Sequence, residues 1–261
     1  MSGTDIFVGH GKAGTPLTDV FVVDAHTHLG KSRELRLVDS SAKSLVHSMD
    51  LMGVDVAATS SVSACLGGQD TWGNDEVIDA VEQYPDRIFG YMVANPYYPS
   101  AAQRELRRCL SAGMRGIKVH TSVNPLYDDP RYDLVWEFAA EHHLPVLAHT
   151  WGEDILRLER HFTRYPAVTW LLAHSGVVDR ESYSRIGKQY TNVYLELCYS
   201  RCPRGLIEYF VREGLEDKVV WGSDTTYMSM APQLGRVLFA KITPAQKATI
   251  LGLNARRALQ L

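Results

Sequence analysis

Short apolar and β-branched runs alternate along the chain with longer stretches in which apolar residues return every three or four positions, and eight such pairs are legible. The strand-like runs lie near 20–26 (VFVVDAH), 54–60 (VDVAATS), 88–94 (IFGYMVA), 115–120 (RGIKVH), 145–149 (PVLAH), 168–174 (VTWLLAH), 192–198 (NVYLELC) and 218–223 (KVVWGS). Between them, AKSLVHSMDLMG (42–53), AAQRELRRCLSAG (101–113) and DLVWEFAAEHH (133–143) carry the helical period. Gly53 and Gly113 follow the last periodic residues of two of these, where a left-handed C-cap is expected. Strict alternation of strand and helix implies a parallel sheet, and eight units predict closure into an α/β fold of the (β/α)8 TIM barrel type, built as a single domain. The rival, an open doubly wound sheet, has no Gly-x-Gly-x-x-Gly after any strand to support its dinucleotide-binding form. Residues 1–18, rich in Gly and Thr, are expected to form an N-terminal arm laid against a barrel spanning 19–261.

Composition narrows the partners. A hydrophobic content of 45% and a charged content of 22% are ordinary for a globular protein, and a net charge of -3 gives no general attraction to nucleic acid or to an anionic membrane. A small-molecule substrate is therefore expected. No run of about 18 apolar residues occurs, and the first residues lack a basic start followed by an apolar stretch, so a cytoplasmic, unexported protein is expected. Four scattered cysteines, Cys65, Cys109, Cys198 and Cys202, read as free thiols in a reducing compartment. One C-x3-C pair is a weak metal signal, and Cys198 is expected to pack in the core.

The unusual residues concentrate at strand ends. Within FVVDAHTHLG (21–30), strand parity puts Asp24, His26 and His28 on one face, a possible metal clamp. In such barrels reactive groups sit at the C-terminal ends of the strands, where the βα loops form the open face. His26 and His28 end the first strand, His120 the fourth, His149 the fifth and His174 the sixth, and Asp224 follows the eighth, so five of the ten histidines and one acid share a predicted rim. Neutral imidazole and carboxylate suit zinc, manganese or iron, with an incomplete protein shell leaving room for water or substrate.

These residues resemble the amidohydrolase superfamily, and within it the amidohydrolase-related branch that also contains metal-dependent decarboxylases of the aminocarboxymuconate-semialdehyde and resorcylate type. The resemblance covers residues 20–259 and rests on DAHTHLG, MDLMGVD (49–55), VANP (93–96), GMRGIKVH (113–120), LPVLAHT (144–150), LLAHSG (171–176), VVWGSD (219–224) and LNARRAL (253–259). It implies one divalent ion, with zinc the first expectation and manganese or iron the others. His26, His28, His149 and Asp224 are the implied ligands. Asp224 also handles a proton, and His174 is catalytic beside the ion. Lys118 and His120 share a strand face and are assigned to substrate binding; in two-metal members of the superfamily a lysine at this place bridges the ions.

The reaction expected from this set is hydrolysis of a small-molecule amide, ester or lactone by metal-activated water. The alternatives are non-oxidative decarboxylation of a small carboxylic acid, which uses the same ligands, and a barrel that binds a ligand without turnover. TWGEDI (150–155) and TTYMSM (225–230) are the expected walls of the substrate site. A proline usual in the family shortly after the GSD aspartate is replaced here by Thr225, Thr226 and Tyr227, so no known substrate transfers. Asp24 reads either as a carboxylate orienting a ligand or as a polar filler of the barrel floor. Glu196 reads either as an inward group near the ion or as packing of the seventh strand. His10, His47, His142, His143 and His161 read as structural or solvated. Pairing of two chains through outer helices, giving a homo-oligomer, is open.

Overall fold

The computed structural model describes residues 5–32, 36–199 and 201–261. Eight parallel strands follow one another round a single sheet: β1 (Val23–Leu29), β2 (Val56–Ser61), β3 (Ile88–Met92), β4 (Gly116–Val119), β5 (Pro145–His149), β6 (Thr169–Ala173), β7 (Val193–Leu197) and β8 (Val219–Trp221). Between and around them lie α1 (Ile6–Ala13), α2 (Ala42–Met52), α3 (Val62–Gly67), α4 (Asp70–Gln83), α5 (Pro99–Ser111), α6 (Asp133–Glu141), α7 (Asp154–Arg164), α8 (Arg180–Gln189), α9 (Leu206–Arg212), α10 (Met230–Leu238), α11 (Pro244–Ala248) and α12 (Asn254–Leu259). This is the single-domain TIM barrel that the periodicity predicts. Among the described residues, no helix is long and apolar enough to cross a membrane.

Parity along each strand divides the core into two layers. Ile117, Val119, Val146, Ala148, Trp170 and Leu172 face outward and pack with helix residues such as Val135, Trp136 and Phe162. The intervening Leu147, Leu171 and Val220 point inward, where Ala255, Ala258 and Leu259 of α12 close the floor. Each fully buried side chain of this size contributes about 1.5–3 kcal/mol.

The first segment carries a helix: α1 is capped by Asp5, whose side chain accepts from the amides of Phe7 and Val8. Lys247 of α11, itself buried, reaches Asp5 at 2.5 Å. Residues 1–4 of the expected arm lie outside the described residues. Gly53 and Gly113 adopt φ of 74° and 90°, the left-handed geometry expected of them.

β1 starts three residues later than the hydrophobic run suggests and continues through both histidines. Its register with β2 slips between Asp24 and Thr27: Val23 pairs Val56, whereas His28 pairs Ser60. The five steps from Val23 to His28 therefore lie opposite four steps on β2, a bulge that adds one residue and reverses the parity beyond it. Simple alternation from inward-facing Val23 would turn His26 and His28 outward, and the bulge returns them to the interior. The expectation that Asp24 shares their regular face is corrected for the same reason.

Candidate metal centre

The barrel seam closes at two of the predicted site histidines and the predicted acid. Asp224 donates its amide to the carbonyl of His26 at 2.8 Å, and His28 donates its amide to the carbonyl of Thr225. His174 and Asp224 both hold positive φ, 61° and 60°, turning their side chains at the strand ends. Asp24 is fully buried, with Oδ1 accepting from the amides of His26 at 3.2 Å and Ser223 at 2.9 Å. It ties the start of the motif to the end of β8 through their backbone amides.

Inside the seam, His26 Nε2 lies 3.2 Å from His28 Nε2. Asp224 Oδ1 stands 3.3 Å from the latter and 3.7 Å from the former. All three side chains are buried and form one compact donor group. The outer nitrogen of each histidine is held: His28 Nδ1 meets Ser60 Oγ at 3.1 Å, and His26 Nδ1 meets Glu196 Oε2 at 3.0 Å. Lys118 Nζ lies 2.8 Å from His26 Nε2, on the side of the ring that faces the other donors.

A second compact group, His26, His174, Glu196 and Cys198, lies on the other side of the His26 ring. Here Cys198, fully buried, is 3.1 Å from His174 Nδ1 and 3.3 Å from Glu196 Oε2. The expectation of Cys198 as plain core packing is thus corrected, because its thiol sits among polar groups. Glu196 resolves to the inward reading: Leu195 and Leu197 on either side pack outward, so alternation aims it at the axis.

His149 and His120 belong to neither compact group. Their rings stack at 3.8 Å, and His149 stands 4.8 Å from the His174 ring. All six predicted side chains, with Lys118, nonetheless line one cavity of about 200 Å³. Its walls are Val62, Cys65, Leu66, Tyr199, Tyr227 and Met228. The predicted 225–230 wall supplies two of these. Trp151, from the other predicted wall, flanks Tyr199 at 5.2 Å between ring centres. The α3 contribution carries no signal in the sequence, since a six-residue helix is too short to show a period. A larger groove of about 640 Å³ borders Gly30, Glu76 and Asp79, whereas the convergent donors line the smaller cavity.

Burial, reinforced by neighbouring imidazoles and Lys118, holds His26, His120, His149 and His174 well below the usual imidazole range. Neutral rings are what a metal requires. Burial also lowers Lys118. It pushes the Asp24 carboxyl up to about 7 and that of Glu196 up to about 8. Burial acts upward on Asp224 too, but the His28 hydrogen bond and the surrounding histidines outweigh it and leave this group below the ordinary carboxylate range.

A TIM barrel with histidines and an acid converging at the C-terminal rim has the architecture of metal-dependent barrel enzymes. The amidohydrolase family model matches residues 23–261, and the chain belongs to that family. A comparison with curated proteins finds no match. Among solved structures, the chain is similar to 5-carboxyvanillate decarboxylase from Sphingomonas paucimobilis, at 17% identity and a TM-score of 0.72 over 93% of this chain and 100% of that one. It is similar to 2,6-dihydroxybenzoate decarboxylase from Rhizobium, at 16% identity and a TM-score of 0.73 over 94% and 99%. A dihydroxybenzoic acid decarboxylase from Polaromonas sp. JS666, with bound manganese and 2-nitroresorcinol, matches at 18% identity and a TM-score of 0.74 over 93% and 97%.

These likenesses correct the expected hydrolysis of an amide, ester or lactone, because the named neighbours remove carbon dioxide. The motifs resemble a branch that holds both chemistries and do not separate them.

Proposed function

We propose that this protein is a metal-dependent, non-oxidative decarboxylase of a small aromatic carboxylic acid. The observation that carries the reading is the donor group of His26, His28 and Asp224, with contacts of 3.2, 3.3 and 3.7 Å. Metal–ligand bonds of about 2.0–2.2 Å place adjacent donors about 2.8–3.6 Å apart in octahedral or tetrahedral shells, so the three atoms fit one divalent ion with small shifts. His149, on the facing strand, adds a further nitrogen. The manganese of the Polaromonas neighbour supports manganese; the imidazole-rich donors equally suit zinc or iron. Once bound, the ion supplies an electrophilic anchor for the substrate's carboxylate and adjacent oxygen.

The chain's own residues do the rest. Tyr199, Tyr227, Val62, Leu66 and Met228 form an apolar slot that seats a flat ring and excludes water. Lys118 and His120 reach the substrate carboxylate from β4 and its following loop. Asp224, ionised at rest, takes a proton from the substrate's hydroxyl and passes it to the carbon that loses carbon dioxide, and His174 faces the charge that develops there. The cavity is below the roughly 300–1,000 Å³ range of drug-sized ligands, which favours a single small ring.

Two results test this reading. Chelator-stripped protein reloaded with manganese or zinc should release carbon dioxide from members of a hydroxybenzoate and aromatic carboxylate panel; metal uptake with no release across the panel counts against it. Lys118→Met should keep its metal while KM for the carboxylate rises ten- to a hundredfold, the loss of one charge-assisted hydrogen bond of about 1.5–3 kcal/mol. An unchanged KM would remove Lys118 from the substrate site.

A further inference from the structure

Glu196 is a fully buried carboxylate that the proposed reaction leaves without a task. Its Oε2 gathers three contacts: His26 Nδ1 at 3.0 Å, the backbone amide of His174 at 3.3 Å and the Cys198 thiol at 3.3 Å. Cys198 in turn lies 3.1 Å from His174 Nδ1 and, more distantly, 3.4 Å from His26 Nδ1. Gly222, the neighbouring inward position on the β8 side, leaves room for this carboxylate, since a Cβ there would overlap Glu196 Oε1 and fall 2.8 Å from His26 Cβ. A buried carboxylate costs several kcal/mol in desolvation unless its charge is matched, and an apolar side chain would fill the same space without that cost. Stability alone does not account for it.

We propose that Glu196 is a positioning residue that sets the tautomers of two histidines, His26 directly and His174 through the Cys198 thiol. This rests on the reading of His26 Nε2 as a metal ligand. When His26 donates Nδ1–H to Oε2, its Nε2 lone pair is left on the side of His28 and Asp224. When the thiol donates S–H to Oε2 and accepts from His174 Nδ1–H, the Nε2 of His174 becomes that ring's basic nitrogen. One carboxylate thereby presents two lone pairs at once, the arrangement by which outer carboxylates raise the affinity of metal-binding histidines.

The same four groups are compact enough to hold a second ion. Hydrogen bonding is favoured because it satisfies each contact with the protons already present. A second ion would require His26 to surrender its ring proton and bind through both nitrogens.

The test combines three measurements. Nitrogen-15 NMR of the histidine rings, on metal-free and zinc-loaded wild-type protein, reads the tautomers. Cobalt(II) titration reads affinity and stoichiometry in wild type, Glu196→Gln and Cys198→Ala. Thermal melts of the metal-free forms read stability. The expected result is Nδ1–H on both His26 and His174 in wild type and about one cobalt per chain. Glu196→Gln should bind cobalt about 10–100-fold more weakly, and Cys198→Ala should disturb the tautomer of His174 more than that of His26, which keeps its shorter contact with Glu196.

Wild-type protein with Nε2–H on either ring overturns the proposal without any variant. So does a Glu196→Gln protein that melts lower but binds cobalt as tightly as wild type. A second cobalt equivalent with a thiolate charge-transfer band that Cys198→Ala removes would replace it with a second metal site. Wild-type protein that takes up no cobalt fails the metal-ligand reading instead, and the tautomers of the metal-free rings still judge Glu196 separately.

Discussion

His28→Ala is expected to yield a folded barrel that has lost its ion and its turnover. The substitution removes one donor of the tight three-atom group, and alanine offers none in its place. Ser60 keeps the Cys65 thiol at 3.6 Å as a hydrogen-bonding neighbour, so the structural cost should be about 1 kcal/mol. Metal affinity should fall on the order of a hundredfold or more, exceeding what loss of an orienting partner does. Elemental analysis and a thermal melt read the two effects separately. His149→Ala is expected to lose metal and activity as well, by removing the facing nitrogen. A His28→Ala protein that holds its ion as firmly as wild type would place the centre elsewhere.

A large effect on stability is expected away from the predicted site, at Gly53→Ala. Gly53 ends α2 with φ of 74°, and a Cβ there would overlap both the carbonyl oxygen and the amide nitrogen of Leu17. Left-handed strain costs about 1–2 kcal/mol for alanine. The clash is with backbone, so the segment carrying buried Leu17 must move, weakening the hydrogen bond that its amide donates to the Met52 carbonyl at 3.1 Å. A total of about 3–5 kcal/mol should lower Tm by roughly 6–15 °C. Gly14 supplies the control: its φ is 65°, but a Cβ there would meet nothing within 4 Å. Gly14→Ala should therefore cost only the strain, about 1–2 kcal/mol. Equal losses at the two sites would mean that the close approach at Leu17 is not felt.

The barrel is readable from the sequence because alternation of strand and helix is a whole-chain signal repeated eight times, and strand-end histidines stand out against apolar runs. The bulge in β1 is not readable: one extra residue leaves no mark in a stretch where every residue is buried. Counting by twos therefore aligns Asp24 wrongly with His26 and His28. Cys198 reads as packing because a lone cysteine in a strand usually is, and only the approach of His26, His174 and Glu196 from three other positions shows otherwise. The compact grouping of His26 and His28 with Asp224, as against the looser placement of His149, depends on how far each strand end reaches into the mouth, which spacing does not encode. Hydrolysis and decarboxylation differ in what the loops present to substrate, and short wall elements such as α3 carry too few residues for a pattern.

Mass spectrometry of the product formed in D2O by metal-loaded protein, using the aromatic carboxylate that it turns over best, tests the central claim most directly. The account predicts loss of carbon dioxide with one deuterium placed at the carbon that carried the carboxylate, abolished by chelator and restored by the ion. Chelator-insensitive turnover, or a product that retains the carboxylate, would contradict it.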